Sequence, residues 1–258
     1  MGAQIIAFAG QKGGVGKTTS ALNLGAAFQR RGERVLLVDM DPQGDLTTGA
    51  GIELEEDAYT VYDVLRGDVT PQAAIVACAE FDVLPTTDSL AMAEIELGGR
   101  PGRELLLRRM LEPVRSSYDW ILVDCPRGFG LLALNGLAIA TIYVVAVQTQ
   151  HFAVKHVDSL VEVAAEVAEF VNPGLRFGGY LPTMFNASKR QHNARLEEIR
   201  TRAAEEGTPL LPTVRENVAL ADAQAAGQTI FLFRPQSHGA EDYAAVAEAL
   251  VEQVKDRG

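Results

Sequence analysis

Cysteine is nearly absent. Cys78 and Cys125 are the only two in 258 residues, and no CxxC pair exists. That argues against a disulfide scaffold or a thiolate metal site, and both read as small reduced core residues. The four histidines, His151, His156, His192 and His238, show no HExxH or other ligand spacing, so surface or structural roles are expected of them. No stretch approaches ~18 uncharged apolar residues, so no membrane-spanning helix is expected. The start of the chain lacks a charged-then-apolar signal pattern, which predicts a cytoplasmic protein. Positive charge is scarce as well. Lys and Arg number 23 against 34 Asp and Glu, and the net charge of −11 works against whole-molecule attraction to nucleic acid. Internal repeats, low-complexity tracts and long linkers are missing, and the length suits one α/β domain over residues 1–258.

What is present is an apolar content of 47%, ample for a core, in alternating strand-like and helical runs. Strands are predicted near 4–9, 34–39, 81–84, 120–124, 141–147 and 176–184. Helices are predicted near 17–31, 103–115, 130–140, 153–171, 190–205, 216–226 and 239–255. The runs Val35-Leu36-Leu37-Val38 and Ile121-Leu122-Val123 suit parallel strands buried on both faces. Val154, Val157, Val161, Ala164, Ala168 and Val171 recur at steps of three and four, as on a helix packed against a sheet. This order predicts a doubly wound, mostly parallel α/β sheet flanked by helices, with ligands at the carboxyl ends of strands. Residues 45–75 are the least regular and are expected to form loops and short helices.

The most informative segment is Gln11-Lys12-Gly13-Gly14-Val15-Gly16-Lys17-Thr18. It follows the apolar run Ile5-Ile6-Ala7-Phe8-Ala9 and leads into a helical pattern, the strand–loop–helix context of a phosphate-binding loop. Glycines let successive N–H groups curl inward toward phosphate oxygens, and the helix adds its free N–H groups and dipole. Lys17 is placed to reach the β/γ-phosphates and Thr18 to sit on Mg²⁺. Only five lysines are present, and Lys12 lies within six residues of Lys17. Two ammonium groups in one loop repel unless an anion lies between them; a loop cation not used on its own nucleotide could serve a neighbouring one, a physical possibility that spacing alone does not establish. Asp124 ends an apolar strand, where a carboxylate can hold Mg²⁺ through water. Asp39 and Asp41 flank Met40, and a strand period of two points both carboxylates the same way; from the residues alone, an Asp-Pro turn reads equally well.

Lys12 to Thr19 resembles the deviant Walker A loop of the ParA/MinD ATPases. Val38-Asp39-Met40-Asp41-Pro42-Gln43-Gly44 resembles the family's first switch, and Tyr118 to Pro126 its Walker B strand and second switch. Weaker matches at Val147-Gln148, Pro182 to Asn186 and Ser237 to Glu241 extend the likeness along nearly the whole chain. The loop begins ten residues in, as in the small, Soj-like ParA proteins. The resemblance implies an ATP- and Mg²⁺-dependent P-loop ATPase with weak intrinsic turnover, a homodimer on ATP that binds DNA non-specifically. It implies association with the nucleoid in that state, and partition of a chromosome or plasmid with a stimulating ParB-like partner. The alternative is a relative that positions a protein cargo such as a microcompartment or receptor cluster. A third reading is a nucleotide-dependent regulator with negligible turnover. By the same resemblance, Lys12 crosses the dimer interface, Gly13, Gly14, Val15, Gly16, Lys17, Thr18 and Thr19 cradle ATP, and Asp41 orients the attacking water. Asp39 belongs to the magnesium neighbourhood with Thr18 and Asp124. The Pro182–Asn186 segment and the loop at Val214 to Asn217 form the adenine pocket, with Asn186 reading the base edge. ATP over GTP also rests on the resemblance.

The chain departs from the family in two places. After Asp124 it reads Pro126-Arg127-Gly128-Phe129-Gly130, where the family commonly has Pro-Pro-Ser-Leu-Gly. Arg127 is favoured as a surface residue, since surface ion pairs often contribute little; the alternatives are a built-in charge stabiliser or a clamp on the opposite subunit. Family DNA-binding cations are replaced by Ser188, Ala219, Gln236 and His238. Lys189, Arg190, Arg195, Arg200, Arg202 and Arg215 remain. Arg195 and Arg202 are seven apart and share a helix face, though interspersed glutamates suit an ordinary solvated helix equally well. DNA contact through Lys189, Arg190, Arg195, Arg202 and Arg215 is the expectation. The C-terminal helix, with Val246, Leu250 and Val254 on one side, lacks the basic, bulky face of a membrane anchor, even counting Lys255 and Arg257, so no membrane binding is expected.

Overall fold

The computed structural model describes residues 2–150 and 154–255, the side chains of 154–156 excepted. The readings made above for His151, His156, Arg257 and the Val154 side chain lie outside the described residues. The strands are β1 (Gln4–Gly10), β2 (Val35–Asp39), β3 (Val76–Ala77), β4 (Asp82–Leu84), β5 (Trp120–Arg127), β6 (Ile142–Gln148) and β7 (Arg176–Thr183). They form one sheet in the order β3-β4-β2-β5-β1-β6-β7. Only the β3–β4 pair is antiparallel. The α-helices are α1 (Lys17–Gln29), α2 (Asp45–Gly49), α3 (Val61–Arg66), α4 (Pro71–Ala74), α5 (Ala93–Glu96), α6 (Leu106–Arg115), α7 (Leu131–Ile139), α8 (Val154–Phe170), α9 (Arg190–Glu206), α10 (Val218–Ala225), α11 (Ile230–Phe233) and α12 (His238–Lys255).

Period-two alternation divides the central strands between two cores. Ile5, Ala7, Leu36, Val38, Ile121 and Val123 face α3, α6, α7 and α8. Ile6, Phe8, Val35, Leu37, Trp120 and Leu122 face α1, α10, α11 and α12. Both faces being covered is why these strands read as unbroken apolar runs. The Trp120 and Phe28 rings stack at 4.2 Å, fastening β5 to α1; burying each is worth roughly 2–3 kcal/mol. The α12 face carrying Tyr243, Val246 and Leu250 is buried in the same core as α1.

The predicted strands are present. β3 has only two residues, too few for a pattern to register. Residues 45–75 form α2, α3, α4 and loops, as expected. On α8 the buried face is Val157, Leu160, Ala164 and Val167. The predicted stripe through Val161 and Ala168 is therefore one edge of a wider apolar face, and those two are only partly buried. β5 runs three residues beyond its predicted end, to Arg127.

Parallel pairing aligns the carboxyl ends of β2, β5 and β1 at one edge. Asp39 is in register with Asp124, and Arg127 with Gly10. The chain leaves β1 for one side of the sheet and β5 for the other, which opens a crevice at that edge.

Candidate functional site

The loop leaving β1 returns into α1 through two glycines in left-handed backbone, Gly14 (φ +69) and Gly16 (φ +92). A side chain is strained there, which is why the turn needs glycine. Thr183 Oγ1 donates to the Val15 carbonyl at 2.8 Å and ties the loop to β7. Lys17 is only 7% exposed. It lines a polar cavity of about 350 Å³ with Gly13, Thr18, Asp41, Asp45 and Arg127.

Beneath the loop lies Asp124, three residues before the end of β5. Thr18 Oγ1 donates to Asp124 Oδ2 at 2.5 Å. Asp124 is 1% exposed, and its Oδ1 has no hydrogen-bond partner among the described residues. Burial, then the neighbouring charge of Asp39, pushes its pKa far above the usual carboxylate range, while Thr18 and Lys17 pull the other way. An orphaned, buried carboxylate oxygen beside a threonine hydroxyl fits a hard divalent cation.

Asp39 and Asp41 are not equivalent: Asp39 is buried, whereas Asp41 is half-buried and lines the cavity. β2 ends at Asp39, so the period of two stops there. Asp39 is fully buried and accepts from Thr47 Oγ1 (2.7 Å), Thr47 N (2.9 Å) and Asp41 N (3.2 Å). Burial raises its pKa to about 6, against those hydrogen bonds. It fastens the turn that carries Asp41 while sitting in register beside Asp124. Asp41 lines the cavity, its Oδ1 accepting the Gln43 N–H at 3.1 Å.

A second cavity, of about 270 Å³, adjoins the first. The two share Gly16, Thr19, Met184 and Gln224. Its lining includes Val214, Asn217, Val218, Leu220 and Tyr243. One cavity is ringed by charge and the next by apolar surface, as phosphates and a base require. Met184, at their junction, is the one non-glycine residue in left-handed backbone among the described residues. The Val214–Asn217 loop lines this cavity as expected, but Asn186 does not. Its Nδ2 donates to Glu216 at 2.8 Å, and its Oδ1 accepts from Ser188 N and Oγ. Both ends of the amide are thus engaged in the local turn, with one Nδ2 hydrogen left over. Thr183 and Met184, within the expected Pro182–Asn186 segment, do line the cavity. Gln224, which carried no motif, is the contributor missed from sequence; its Oε1 accepts from Thr19 Oγ1 at 3.0 Å.

A model of the AAA domain family matches residues 3–177. The sporulation initiation inhibitor protein Soj of Bacillus subtilis is 39% identical, covering 95% of this chain and 97% of its own. The chromosome partitioning protein ParA of Myxococcus xanthus is 35% identical, covering 97% and 88%. The chain belongs to the ParA/MinD family of ATPases. Among solved structures it is similar to cobyrinic acid a,c-diamide synthase from Mycobacterium smegmatis with bound ATP analogue and magnesium. That match has a TM-score of 0.86 and 34% identity, covering 98% of this chain and 96% of that one.

The ParA/MinD signature lysine, Lys12, does not line its own phosphate cavity. Its Nζ donates to Gln148 Oε1 at 3.3 Å, at the end of β6. The cations expected at DNA are mostly engaged within the chain. Lys189 pairs with Glu216 and Arg195 with Glu198. Arg202 pairs with Asp158 and Glu206 and lies over the Tyr180 ring, with 17% of its side chain exposed. It therefore does not extend a surface patch from Arg195. Arg215 is forked onto Asp242 and also meets Glu241. Arg190 is exposed and has no ion pair among the described residues. A cation held by a carboxylate of its own chain brings little net charge to a phosphate backbone.

Proposed function

We propose that this chain is a Mg²⁺- and ATP-dependent partition switch of the ParA type. It dimerises on ATP, binds DNA non-specifically as the dimer, and releases it after hydrolysis stimulated by a ParB-like partner. What carries the reading is the pair of adjoining cavities, polar over the loop and apolar beyond it, in a chain whose partition relatives align along nearly its whole length. The diamide synthase is similar over the same span, so the shared nucleotide site alone does not decide the cargo; the reading follows the partition relatives.

Phosphoryl transfer asks the protein for positioned charge rather than covalent help. The loop N–H groups and Lys17 hold the phosphates. Thr18 and Asp124 hold Mg²⁺, which when bound neutralises charge on the β/γ-phosphate oxygens. Asp41, lining the cavity, orients the attacking water. Asp39 keeps the Asp41 turn in place. Lys12, directed toward the end of β6, is available to a nucleotide on the partner subunit, which makes turnover depend on dimer formation.

The test is binding to non-specific duplex DNA with ATP, with ADP and without nucleotide, across a salt series. ATP-dependent binding that weakens steeply with salt is expected. Dimers that form on ATP but bind no DNA would move the reading to a protein cargo, which the ion-paired Lys189, Arg195, Arg202 and Arg215 favour.

A further inference from the structure

Arg127 closes β5, and Gly128 N donates to the Gly10 carbonyl at 3.3 Å just before the phosphate loop. Its side chain turns back over that loop. A Cβ built on Gly13 would lie 2.7 Å from Arg127 Cδ and 3.0 Å from its Nε and Nη1. The exposed Arg127 side chain thus rests against bare glycine backbone and lines the cavity together with Lys17, Thr18 and Asp41. Among the described residues it forms no ion pair with a carboxylate, unlike Lys189, Arg195, Arg202 and Arg215.

Its position along the cavity identifies what it faces. The apolar cavity meets the polar one at Gly16 and Thr19, and Gly13 and Arg127 line only the polar one. A nucleotide with its base in the apolar cavity runs its phosphates past Gly16 and Lys17 toward Gly13. The last phosphate therefore arrives beneath Arg127. A guanidinium presents a planar fork of donors that matches phosphate oxygens two at a time.

We propose that Arg127 contacts the terminal phosphate of the nucleotide bound to its own chain, and so distinguishes ATP from ADP before any dimer forms. This rests on the nucleotide reading above. It goes beyond the loop lysines, because it puts a sensor of the terminal phosphate on the strand that carries Asp124. Gly128, in left-handed backbone at φ +89, follows at once and leads toward α7, which gives the contact a route into the fold.

The experiment is equilibrium titration of dilute protein with fluorescent ADP and ATPγS in Mg²⁺, for the unmodified chain, Arg127→Ala and Arg127→Lys. Loss of a charge-assisted contact is expected to weaken ATPγS by about tenfold or more. ADP affinity should stay within about twofold, with the lysine variant in between. Unchanged ATPγS affinity overturns the proposal, as does an equal fall for both nucleotides, which would make Arg127 a support for the loop. An ATPγS defect that emerges only once dimers form assigns the guanidinium to the partner's nucleotide and overturns the contact within one chain. If the unmodified chain binds neither nucleotide, the nucleotide reading itself falls.

Discussion

Arg215→Ala separates two readings of the same side chain. As a DNA contact, Arg215 would cost affinity for duplex and leave the fold untouched. The structure gives it a different task. Asp242 is 8% exposed. Its carboxylate accepts Arg215 Nε at 2.9 and 3.0 Å, Nη2 at 2.6 Å and the Arg215 backbone N–H at 2.8 Å. Truncation leaves only the backbone donor to a largely buried charge. Breaking a fully buried pair costs about 3–5 kcal/mol. The Arg215 side chain is 41% exposed, so water compensates part of that, and a loss of about 2–3 kcal/mol is expected. For a chain of this length that is a fall in Tm of about 5–10 °C. Arg190→Ala, at an exposed cation without an ion pair among the described residues, should stay within about 0.5 kcal/mol. Thermal melts of both variants, with Arg215→Lys as the charge-conserving control, make the comparison. Lysine lacks the planar fork, so it should recover only part of the stability. An Arg215→Ala protein that melts with the unmodified chain but loses DNA affinity would refute the reasoning.

Three further outcomes follow from the geometry. Lys17→Ala should reduce binding of fluorescent ADP to background while the nucleotide-free melt stays cooperative; unmodified affinity would remove the phosphate loop from the account. Gly136→Ala places a Cβ 2.3 Å from Cys125 Sγ and 3.3 Å from Val123 Cγ1, overpacking α7 against β5; a destabilisation of about 1–3 kcal/mol is expected in urea melts, and an unchanged midpoint would contradict that packing. Burial raises the pKa of Glu80 above 4.5, against its bond from Thr229 and the charge of Arg30. The folded state then holds that proton more tightly than the unfolded chain, so Glu80 costs nothing in acid and costs stability as pH rises above about 4.5. The Tm of Glu80→Gln relative to the unmodified chain should therefore climb from pH 4 to 7, and a flat difference would show the carboxylate to be unpenalised.

The parts that could be read from sequence were those with local chemistry. A loop that bends twice through left-handed backbone and then presents a buried lysine leaves Gly14, Gly16 and Lys17 in adjacent positions. Strands covered on both faces leave unbroken runs such as Val35 to Val38. The rest depended on partners distant along the chain. Arg215 meets Asp242 27 residues on, and Arg202 meets Asp158 44 residues back, so both looked like available surface charge. Asn186 was an amide near the right loop, but Glu216, 30 residues away, takes it. Arg127 is exposed, as read from sequence, but nothing in its own segment says that it lies against Gly13, more than a hundred residues earlier. Gln224 borders both cavities without any motif, brought there by the packing of α10 beside α1 and α2.

The most direct test of the proposed ATP switch is solution mass by light scattering of Asp41→Ala, in which the carboxylate proposed to orient the attacking water is gone and ATP should persist. With Mg²⁺ and ATP the variant should run at twice the 27.7 kDa of the chain, and with ADP at that mass itself. The same mass with either nucleotide would contradict an ATP-dependent dimer.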